Sequence, residues 1–437
     1  MSDTIIVIGG GFAGAAAAAM LRAHGATVTL LEARPTLGGR ARSDVLDGVS
    51  FDAGAQLITS SFARTHRLIS TPMHRVTTGD AVVRRGTRLP LRFGSVRSLL
   101  AFSGMTPLEK LRVGAHLVPL LARHHSTLDA DATRLPAALD TMSARAFVEQ
   151  HVGAQAADTL VEPLCNGFYG VHGADVSLAF FLTLGRYGSD GDVLAPSHGW
   201  SAAIDAMLRD VDVIRDARAS TLRFTVAAQR VAVVAADGRT WHADAVVVAT
   251  GPRAAARLLA PHRKADDPLV AWLAGVALRA TFTLAFALDV SAPRDAVGIY
   301  PDVHEARTVS ACVVQGAKTN APSDRDVVLA WPTPDALDTL RDRAADEIAA
   351  AMLPDVERLI PEVRGHVTRA RVYRFDEGSP VASPGFVADR AHGRALADAL
   401  DLPVALAGDY LTTPLIEGAV ASGEHAAGRT MSRLRRA

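Results

Sequence analysis

The 437-residue chain is poor in cysteine, with only Cys165 and Cys312 and no C-x-x-C pair. This excludes a disulfide framework and a cysteine-based metal site, and we expect two buried thiols. The sequence also lacks an H-E-x-x-H motif and a G-x-S-x-G turn, and the adjacent His124 and His125 do not have metal-ligand spacing. These absences argue against metal chemistry and against a serine hydrolase.

A net charge of one sign is also missing, because 46 Lys and Arg residues balance 46 Asp and Glu residues. Such a chain has no overall basic field that would attract nucleic acid. It contains no apolar run of about 18 residues, the length that a membrane-spanning helix needs. The first predicted strand begins within a few residues of Met1, so we expect a cytoplasmic protein without a cleavable leader.

The most informative feature that is present lies in the first 32 residues. An apolar run at residues 4–8 predicts a buried strand, and residues 9–14 form a G-x-G-x-x-G turn. Residues 15–24 predict a helix, and residues 27–31 predict a second strand that ends at Glu32. This order is typical of a dinucleotide-binding βαβ unit.

Each glycine of the turn has a physical task in such a unit. Gly9 permits the tight turn, Gly11 lets a pyrophosphate approach the backbone, and Gly14 lets the helix pack closely on the sheet. Glu32 follows Gly14 by 18 residues, close to the position of the acid that hydrogen-bonds an adenosine ribose. The sequence therefore predicts dinucleotide binding, with FAD and NAD as the two alternatives.

A second glycine-rich segment favours FAD. Gly38, Gly39 and Arg40 suit a loop that closes on a pyrophosphate, with the guanidinium as a charge-assisted donor. With the following Gly54-Ala55-Gln56, the chain resembles the flavin amine oxidase superfamily, which includes protoporphyrinogen oxidases and carotenoid and squalene-type desaturases.

The resemblance continues near the end of the chain, at Gly408-Asp409-Tyr410 and at Glu417-Gly418-Ala419-Val420. It implies that both ends of the chain share one FAD, with Asp409 at the ribityl chain and a helix opening at Glu417 beside the pyrimidine edge of the flavin. The expected cofactor-binding residues are Gly9, Gly11, Phe12, Ala13, Gly14, Glu32, Arg34, Gly39, Arg40, Gly54, Ala55, Gln56, Gly408, Asp409, Glu417, Ala419 and Val420.

The resemblance also implies the architecture, an α/β fold in which two domains interleave. We expect a Rossmann-like FAD-binding domain, with a parallel sheet, helices and a small β meander, from residues 1–70, 196–261 and 395–437. An α+β substrate-binding domain would take residues 71–195 and 262–394. Local patterns predict a hairpin around Asp237-Gly238, a strand at residues 278–289 and a helix at residues 339–353.

The activity implied is that of an FAD-dependent oxidoreductase, an oxidase, dehydrogenase or desaturase. FAD should be bound non-covalently, because no cysteine lies near Tyr410. No side chain is identified as the catalytic group, since hydride transfer to flavin N5 needs alignment more than a strong base. Gln56, Lys318 and Tyr410 are the candidates, although Lys318 is interpreted as a loop lysine.

Residues 162–170 and 178–184 resemble the pocket segment of the porphyrinogen oxidase and desaturase branch. The expected substrate is lipophilic and bulky, an isoprenoid or carotenoid-like hydrocarbon or a porphyrinogen, with O2 or a quinone as electron acceptor. A flavin amine oxidase and a non-redox flavin isomerase or cyclase remain alternatives, and a homodimer remains open. The leucine-rich, basic residues 93–125 are either a peripheral membrane contact or a helical cap over the pocket.

Overall fold

The computed structural model describes residues 3–225, 230–321 and 323–436. In chain order the strands are β1 (Thr4–Ile8), β2 (Thr27–Leu31), β3 (Ser43–Leu46), β4 (Val49–Asp52), β5 (Ile58–Thr59), β6 (Met73–Arg75), β7 (Asp80–Arg84), β8 (Thr87–Leu91), β9 (Val193–Pro196), β10 (Asp212–Ile214), β11 (Ala219–Thr225), β12 (Arg230–Ala235), β13 (Thr240–Ala243), β14 (Ala245–Val248), β15 (Leu278–Leu288), β16 (Gly298–Pro301), β17 (Val309–Val314), β18 (Asp326–Pro332), β19 (Val367–Pro380) and β20 (Val404–Leu406).

The α-helices are α1 (Phe12–Ala23), α2 (Ala63–Leu68), α3 (Val96–Ala101), α4 (Pro107–His124), α5 (Ala144–His151), α6 (Ala154–Ala156), α7 (Glu162–Leu164), α8 (Leu178–Ser189), α9 (Gly199–Met207), α10 (Pro252–Leu259), α11 (Pro268–Gly275), α12 (Gln315–Thr319), α13 (Pro334–Leu340), α14 (Ala345–Leu359), α15 (Phe386–Asp398) and α16 (Ile416–Leu434).

A five-stranded parallel sheet in the order β10-β2-β1-β14-β20 forms the centre of the first domain. Its strands come from the start, the middle and the end of the chain, within the three ranges predicted for the FAD-binding domain. Helices α1 and α16 pack so closely that a Cβ on Gly423 would lie 2.2 Å from the carbonyl oxygen of Ala13. The predicted hairpin is confirmed, because β12 and β13 pair antiparallel on either side of Gly238.

The second domain contains a seven-stranded mixed sheet in the order β19-β15-β18-β17-β16-β7-β8. The predicted strand at residues 278–289 is confirmed as β15, which lies between β18 and β19. Helix α14 packs in the hydrophobic core of this sheet, whereas α4, α5 and α8 contribute to a separate helical core. The predicted α/β fold is confirmed, while the domain bounds remain a prediction.

The single helix predicted at residues 339–353 is wrong, because the chain forms α13 and α14 with a break between them. The Glu347 carboxylate accepts a hydrogen bond from the backbone N–H of Ala344 at 3.1 Å, which starts a new helix. Arg374, on β19, donates to the carbonyl oxygens of Arg341 and Arg343 in the break. These contacts satisfy backbone groups that a continuous helix would have paired internally.

Both cysteines are buried and free, as predicted. Among the described residues, we find no helix that combines the length and the hydropathy needed to cross a bilayer.

Candidate active site

The glycine turn after β1 has the close contacts of a dinucleotide-binding turn. Gly9 adopts a φ of +112°, and its N–H donates to the carbonyl oxygen of Leu31 at 2.8 Å. A Cβ on Gly14 would lie only 1.9 Å from the carbonyl oxygen of Gly9, so this position requires glycine. A Cβ on Gly11, in contrast, would meet no described atom within 4 Å. The open side of the turn therefore lies at Gly11.

Glu32 closes this turn from the end of β2. Its side chain is buried, and its two oxygens accept hydrogen bonds from the N–H groups of Gly10 at 2.7 Å and Arg34 at 2.9 Å. A carboxylate has about four acceptor positions, so each oxygen keeps one for a ribose hydroxyl. The side chain of Arg34 is exposed, and the structure places its backbone, rather than its guanidinium, against Glu32.

The second glycine loop faces the first one. A Cβ on Gly39 would lie 3.6 Å from the Cα of Gly11, which is ordinary van der Waals distance. The next residue, Arg40, donates both terminal nitrogens to the carboxylate of Asp409, at 2.6 and 2.8 Å. Partial burial acts to lower the pKa of Arg40, but the Asp409 carboxylate and, to a smaller extent, Glu377 raise it above its ordinary value. Two residues expected at different parts of the cofactor thus form one bidentate pair.

Lys318 is not the loop lysine that the sequence analysis expected. It lies in α12 with 1% of its side chain exposed, and its Nζ donates to Asp52 Oδ2 at 2.6 Å and to Gln56 Oε1 at 3.0 Å. Asp52 Oδ1 accepts from the Ser43 hydroxyl at 2.6 Å and from the backbone N–H of Trp200 at 2.9 Å. This buried cluster connects β4, α9 and α12.

The cluster holds the side-chain amide of Gln56 in one orientation. Besides accepting from Lys318, the Gln56 amide donates to the carbonyl oxygens of Asp52 at 2.6 Å and Gly54 at 2.7 Å. Both of its N–H donors are therefore engaged with the backbone. In this arrangement Gln56 holds the shape of the segment that contains Gly54 and Ala55, and it has no proton to offer to a substrate.

Helix α16 begins at Ile416, where the resemblance placed a helix opening, and its first turn has no side-chain cap. The carboxylate of Glu417 instead accepts from the N–H of Arg64 at 2.8 Å and from the N–H and hydroxyl of Thr65 at 2.9 and 2.6 Å. Glu417 thus stabilises the start of α2 and leaves the N–H groups of its own helix turn without a side-chain partner.

The remaining predicted residues are packed around these loops. Phe12, Ala13 and Val420 are buried in one hydrophobic cluster, and Ala55 and Ala419 pack against it. Gly408 has a φ of +156° and donates its N–H to the Ser422 hydroxyl at 2.9 Å, which ties the Gly408-Asp409 turn to α16.

Tyr410 packs in a hydrophobic cluster that contains neither of the other two catalytic candidates. Its ring packs in the hydrophobic cluster that contains Ile6 and Val246 of the parallel sheet, 6.3 Å from the Trp272 ring. Burial raises the pKa of Tyr410 far above its usual range. The Tyr410 hydroxyl is buried without a hydrogen-bond partner among the described residues, and its catalytic role stays a prediction.

Two residues near the site were missed by the sequence analysis. Glu377 Oε2 is buried without a hydrogen-bond partner among the described residues, next to Gly378, whose carbonyl oxygen accepts from Arg40. Arg279 lines a cavity beside the start of α16, and it donates to the carbonyl oxygens of Gly170 and Pro334. Neither residue belongs to a sequence motif. Arg279 lies on β15 and Glu377 on β19, and the pairing of these two strands, which are far apart in the sequence, places both residues near the site.

These features fit FAD on four grounds. The first two are the open side of the Gly11 turn and the second glycine loop facing it. The third is that α1 and α16 both begin without a side-chain cap, so each offers N–H groups and a positive dipole end to an anion. The fourth is the pair of acceptors, Glu32 and Asp409, on opposite ends of the chain.

A family model for flavin containing amine oxidoreductases matches residues 12–431. The chain belongs to this family. The predicted superfamily is therefore confirmed, and the protein is an FAD-dependent oxidoreductase. The match runs from the first residue of α1 into α16 and so includes elements of both sheets and of the helices between them.

The relatives of this family member differ in activity. Mitochondrial protoporphyrinogen oxidase of Nicotiana tabacum is 28% identical over 175 residues, which cover 38% of this chain and 32% of that protein's length. Putrescine oxidase bound to putrescine has a TM-score of 0.73 at 17% identity, with 99% of this chain and 100% of that chain covered. A fatty acid isomerase from P. acnes has a TM-score of 0.72 at 16% identity, with 98% of each chain covered. Such structural likeness shows the fold and not the substrate.

Proposed function

We propose that this FAD-dependent oxidoreductase dehydrogenates a bulky apolar substrate, an isoprenoid or carotenoid-like hydrocarbon or a porphyrinogen. One observation carries the proposal, the lining of the cavity beside Pro414 and the start of α16. The lining residues are Tyr169, Val171, Val176, Phe180, Arg279, Ser379, Pro380, Val381, Ala382 and Pro414. Among these described residues there is no Asp or Glu that could pair with a substrate ammonium group.

The electrostatics of the lining support the same substrate class. Its one charged group, Arg279, already donates to two carbonyl oxygens and pairs with Asp338 at 3.2 Å. A cationic amine would face an apolar wall and a like charge, which disfavours its binding. An uncharged hydrocarbon has no polar group that would lose its hydration against such a wall, so its burial there is favourable.

In the proposed reaction, bound FAD supplies the hydride acceptor at N5. The chain's own residues would orient and desolvate the substrate. The apolar wall would exclude water, and the uncapped N–H groups of α16 would stabilise negative charge that develops beside them. Gln56 and Lys318 would keep the Gly54-Ala55 segment in place, with no proton transfer assigned to either.

The experiment is anaerobic bleaching of the flavin absorbance by separate pools of isoprenoid hydrocarbons, porphyrinogens and amines. We expect the hydrocarbon pool to bleach the flavin. Ser379→Leu adds bulk to the cavity lining and should slow this bleaching while leaving chemical reduction by dithionite unchanged. Bleaching by amines alone would replace the proposal with an amine oxidase, and turnover that needs reductant but consumes none would indicate an isomerase or cyclase.

A further inference from the structure

A second cavity lies at the edge of the parallel sheet that is opposite the glycine turns. Ala245 and Val404, the first residues of β14 and β20, line it. The Gly9 and Gly408 turns, in contrast, follow the ends of β1 and β20, and β1, β14 and β20 run parallel. The length of the strands therefore separates this cavity from the candidate cofactor site.

Three arginines from the C-terminal part of the described chain line the same cavity. Arg429 and Arg433 lie on the last turns of α16, and Arg436 follows three residues later. The N–H of Arg436 donates to the carbonyl oxygen of Arg433 at 2.9 Å, which continues the helical turn. Residues at spacings of three and four share one helix face. No Asp or Glu is among the described residues that line the cavity.

Two of these guanidiniums are only weakly paired. Arg433 donates to the carbonyl oxygen of Leu400 at 3.3 Å, and its Nη2 lies 3.5 Å from Asp401 Oδ1, which is long for a hydrogen bond. The Asp401 side chain is 98% exposed, so water screens that contact. The Arg436 guanidinium has no hydrogen-bond or ion-pair partner within the described part of the chain. Both charges are therefore available to a ligand.

A structural role accounts for the third arginine. Arg429 Nη2 donates to the carbonyl oxygen of Asp398, the last residue of α15, and its Nε lies 3.2 Å from the Asp398 carboxylate. These contacts join α16 to the end of α15. The negative end of the α16 dipole amounts to roughly half a charge, which a single cation offsets. Neither purpose requires both Arg433 and Arg436.

The rest of the lining is mainly apolar. It includes Leu400, Pro403, Val404 and Ala405, against which the apolar atoms of a ligand would be removed from water. A phosphoryl group carries nearly two charges and three acceptor oxygens, so it can bind two guanidinium forks at once. A carboxylate matches only one such fork. The lining thus combines partners for a phosphate with a surface for an apolar group.

We propose that this cavity binds a small organic phosphate. The phosphoryl group would pair with Arg433 and Arg436, and the remainder of the molecule would lie against Leu400 and Pro403. The proposal does not depend on the proposed substrate, because the cavity shares no lining residue with the one beside Pro414.

The test is isothermal titration of the FAD-loaded protein, whose cofactor site is then occupied. The probes are phenyl phosphate, inorganic phosphate and benzoate. We expect one phenyl phosphate per chain, bound at least tenfold more tightly than either of the other probes and less tightly at high salt. Inorganic phosphate lacks the apolar group, and benzoate lacks the second charge.

The double variant Arg433→Gln, Arg436→Gln should lose at least tenfold in affinity for phenyl phosphate. Arg436→Gln alone removes no contact within the described residues, so it should weaken binding while keeping the melting curve of the unaltered protein. Arg223→Gln with Arg257→Gln is the matched control, because it removes the same charge from two exposed positions outside the cavity.

Four outcomes would overturn the proposal. The first is the absence of any binding heat with phenyl phosphate, and the second is undiminished binding by the double variant. The third is release of the flavin into solution during the titration, which would show that the probe enters the cofactor site. The fourth is equal affinity for all three probes, which would indicate a general attraction of anions to the arginines.

Discussion

Lys318→Met is the substitution that most sharply tests the buried cluster beneath the Gly54-Ala55 segment. The change removes the ammonium group that Asp52 Oδ2 contacts at 2.6 Å, in a pair whose side chains are 1% and 2% exposed. Asp52 would keep its two contacts on Oδ1, from Ser43 and Trp200, and would carry an uncompensated buried charge. Gln56 would also lose the donor to its carbonyl oxygen.

The expected destabilisation follows from these contacts. Breaking a buried ion pair by removing one partner costs about 3–5 kcal/mol. For lobes of this size, such a loss lowers the melting temperature by roughly 6–20 °C. The double variant Asp52→Asn, Lys318→Met removes both charges and should melt closer to the unaltered protein, because no charge is then left without a partner.

The assay is thermal unfolding followed by flavin fluorescence, with the flavin absorbance spectrum as a second measurement. Lys264→Met is the matched control, since Lys264 is exposed and its loss should leave both measurements unchanged. If Lys318→Met melts within a degree or two of the unaltered protein, the pair does not stabilise the fold as argued. A double variant as unstable as the single one would show that the charge imbalance is not the cause.

Three further predictions concern the cofactor and the pH dependence. Glu32→Arg should give a folded protein with little flavin absorbance, because it removes the ribose acceptor; full FAD occupancy would refute that role. Asp409→Asn removes the carboxylate that joins the two ends of the chain and should speed FAD loss on dialysis, so unchanged retention would remove it from the site. Burial raises the pKa of Asp80 to about 7, against the opposing effects of the Gly298 N–H and Arg92. The folded chain then holds the Asp80 proton more tightly than the unfolded chain, so the free energy of unfolding should fall as the pH rises from about 4 to 7. Asp80→Asn should make the melting temperature nearly independent of pH over that range. If the variant keeps the pH dependence of the unaltered protein, Asp80 is not the group responsible.

The nucleotide-binding unit could be predicted from the sequence because its determinants are local. The strand bounds Thr4–Ile8 and Thr27–Leu31 follow from apolar runs, and the turn follows from the glycine spacing, in which Gly9 and Gly14 have no room for a side chain. Within this unit each contact joins residues fewer than about 35 positions apart, so spacing alone carries the information.

The environment of Lys318 could not be predicted in the same way. Its partners Asp52 and Gln56 precede it by 266 and 262 positions, and only the packing of α12 against β4 brings them together. A lysine with its partner that far away looks like any loop lysine in a sequence. The carboxylate of Glu417 presents the same difficulty, because its partners at the start of α2 lie more than 350 residues earlier.

Arg40 and Asp409 join the two ends of the chain by a direct contact that the sequence did not predict. Each residue was expected to contact a different part of FAD, and motif position supports that expectation for both. The bidentate contact instead shows that the ends are already joined through side chains. Whether each residue also contacts FAD stays a prediction, which the Asp409→Asn variant tests.

The most direct test of the central claim is to denature the purified protein and identify the cofactor that is released. We expect one free FAD per chain in the supernatant, identified by mass spectrometry, because the glycine loops and helix ends would hold it without a covalent bond. Flavin that remains attached to the denatured chain would contradict non-covalent binding. Release of NAD, or of no nucleotide from a folded protein that cannot be reconstituted with FAD, would contradict the assignment of the site itself.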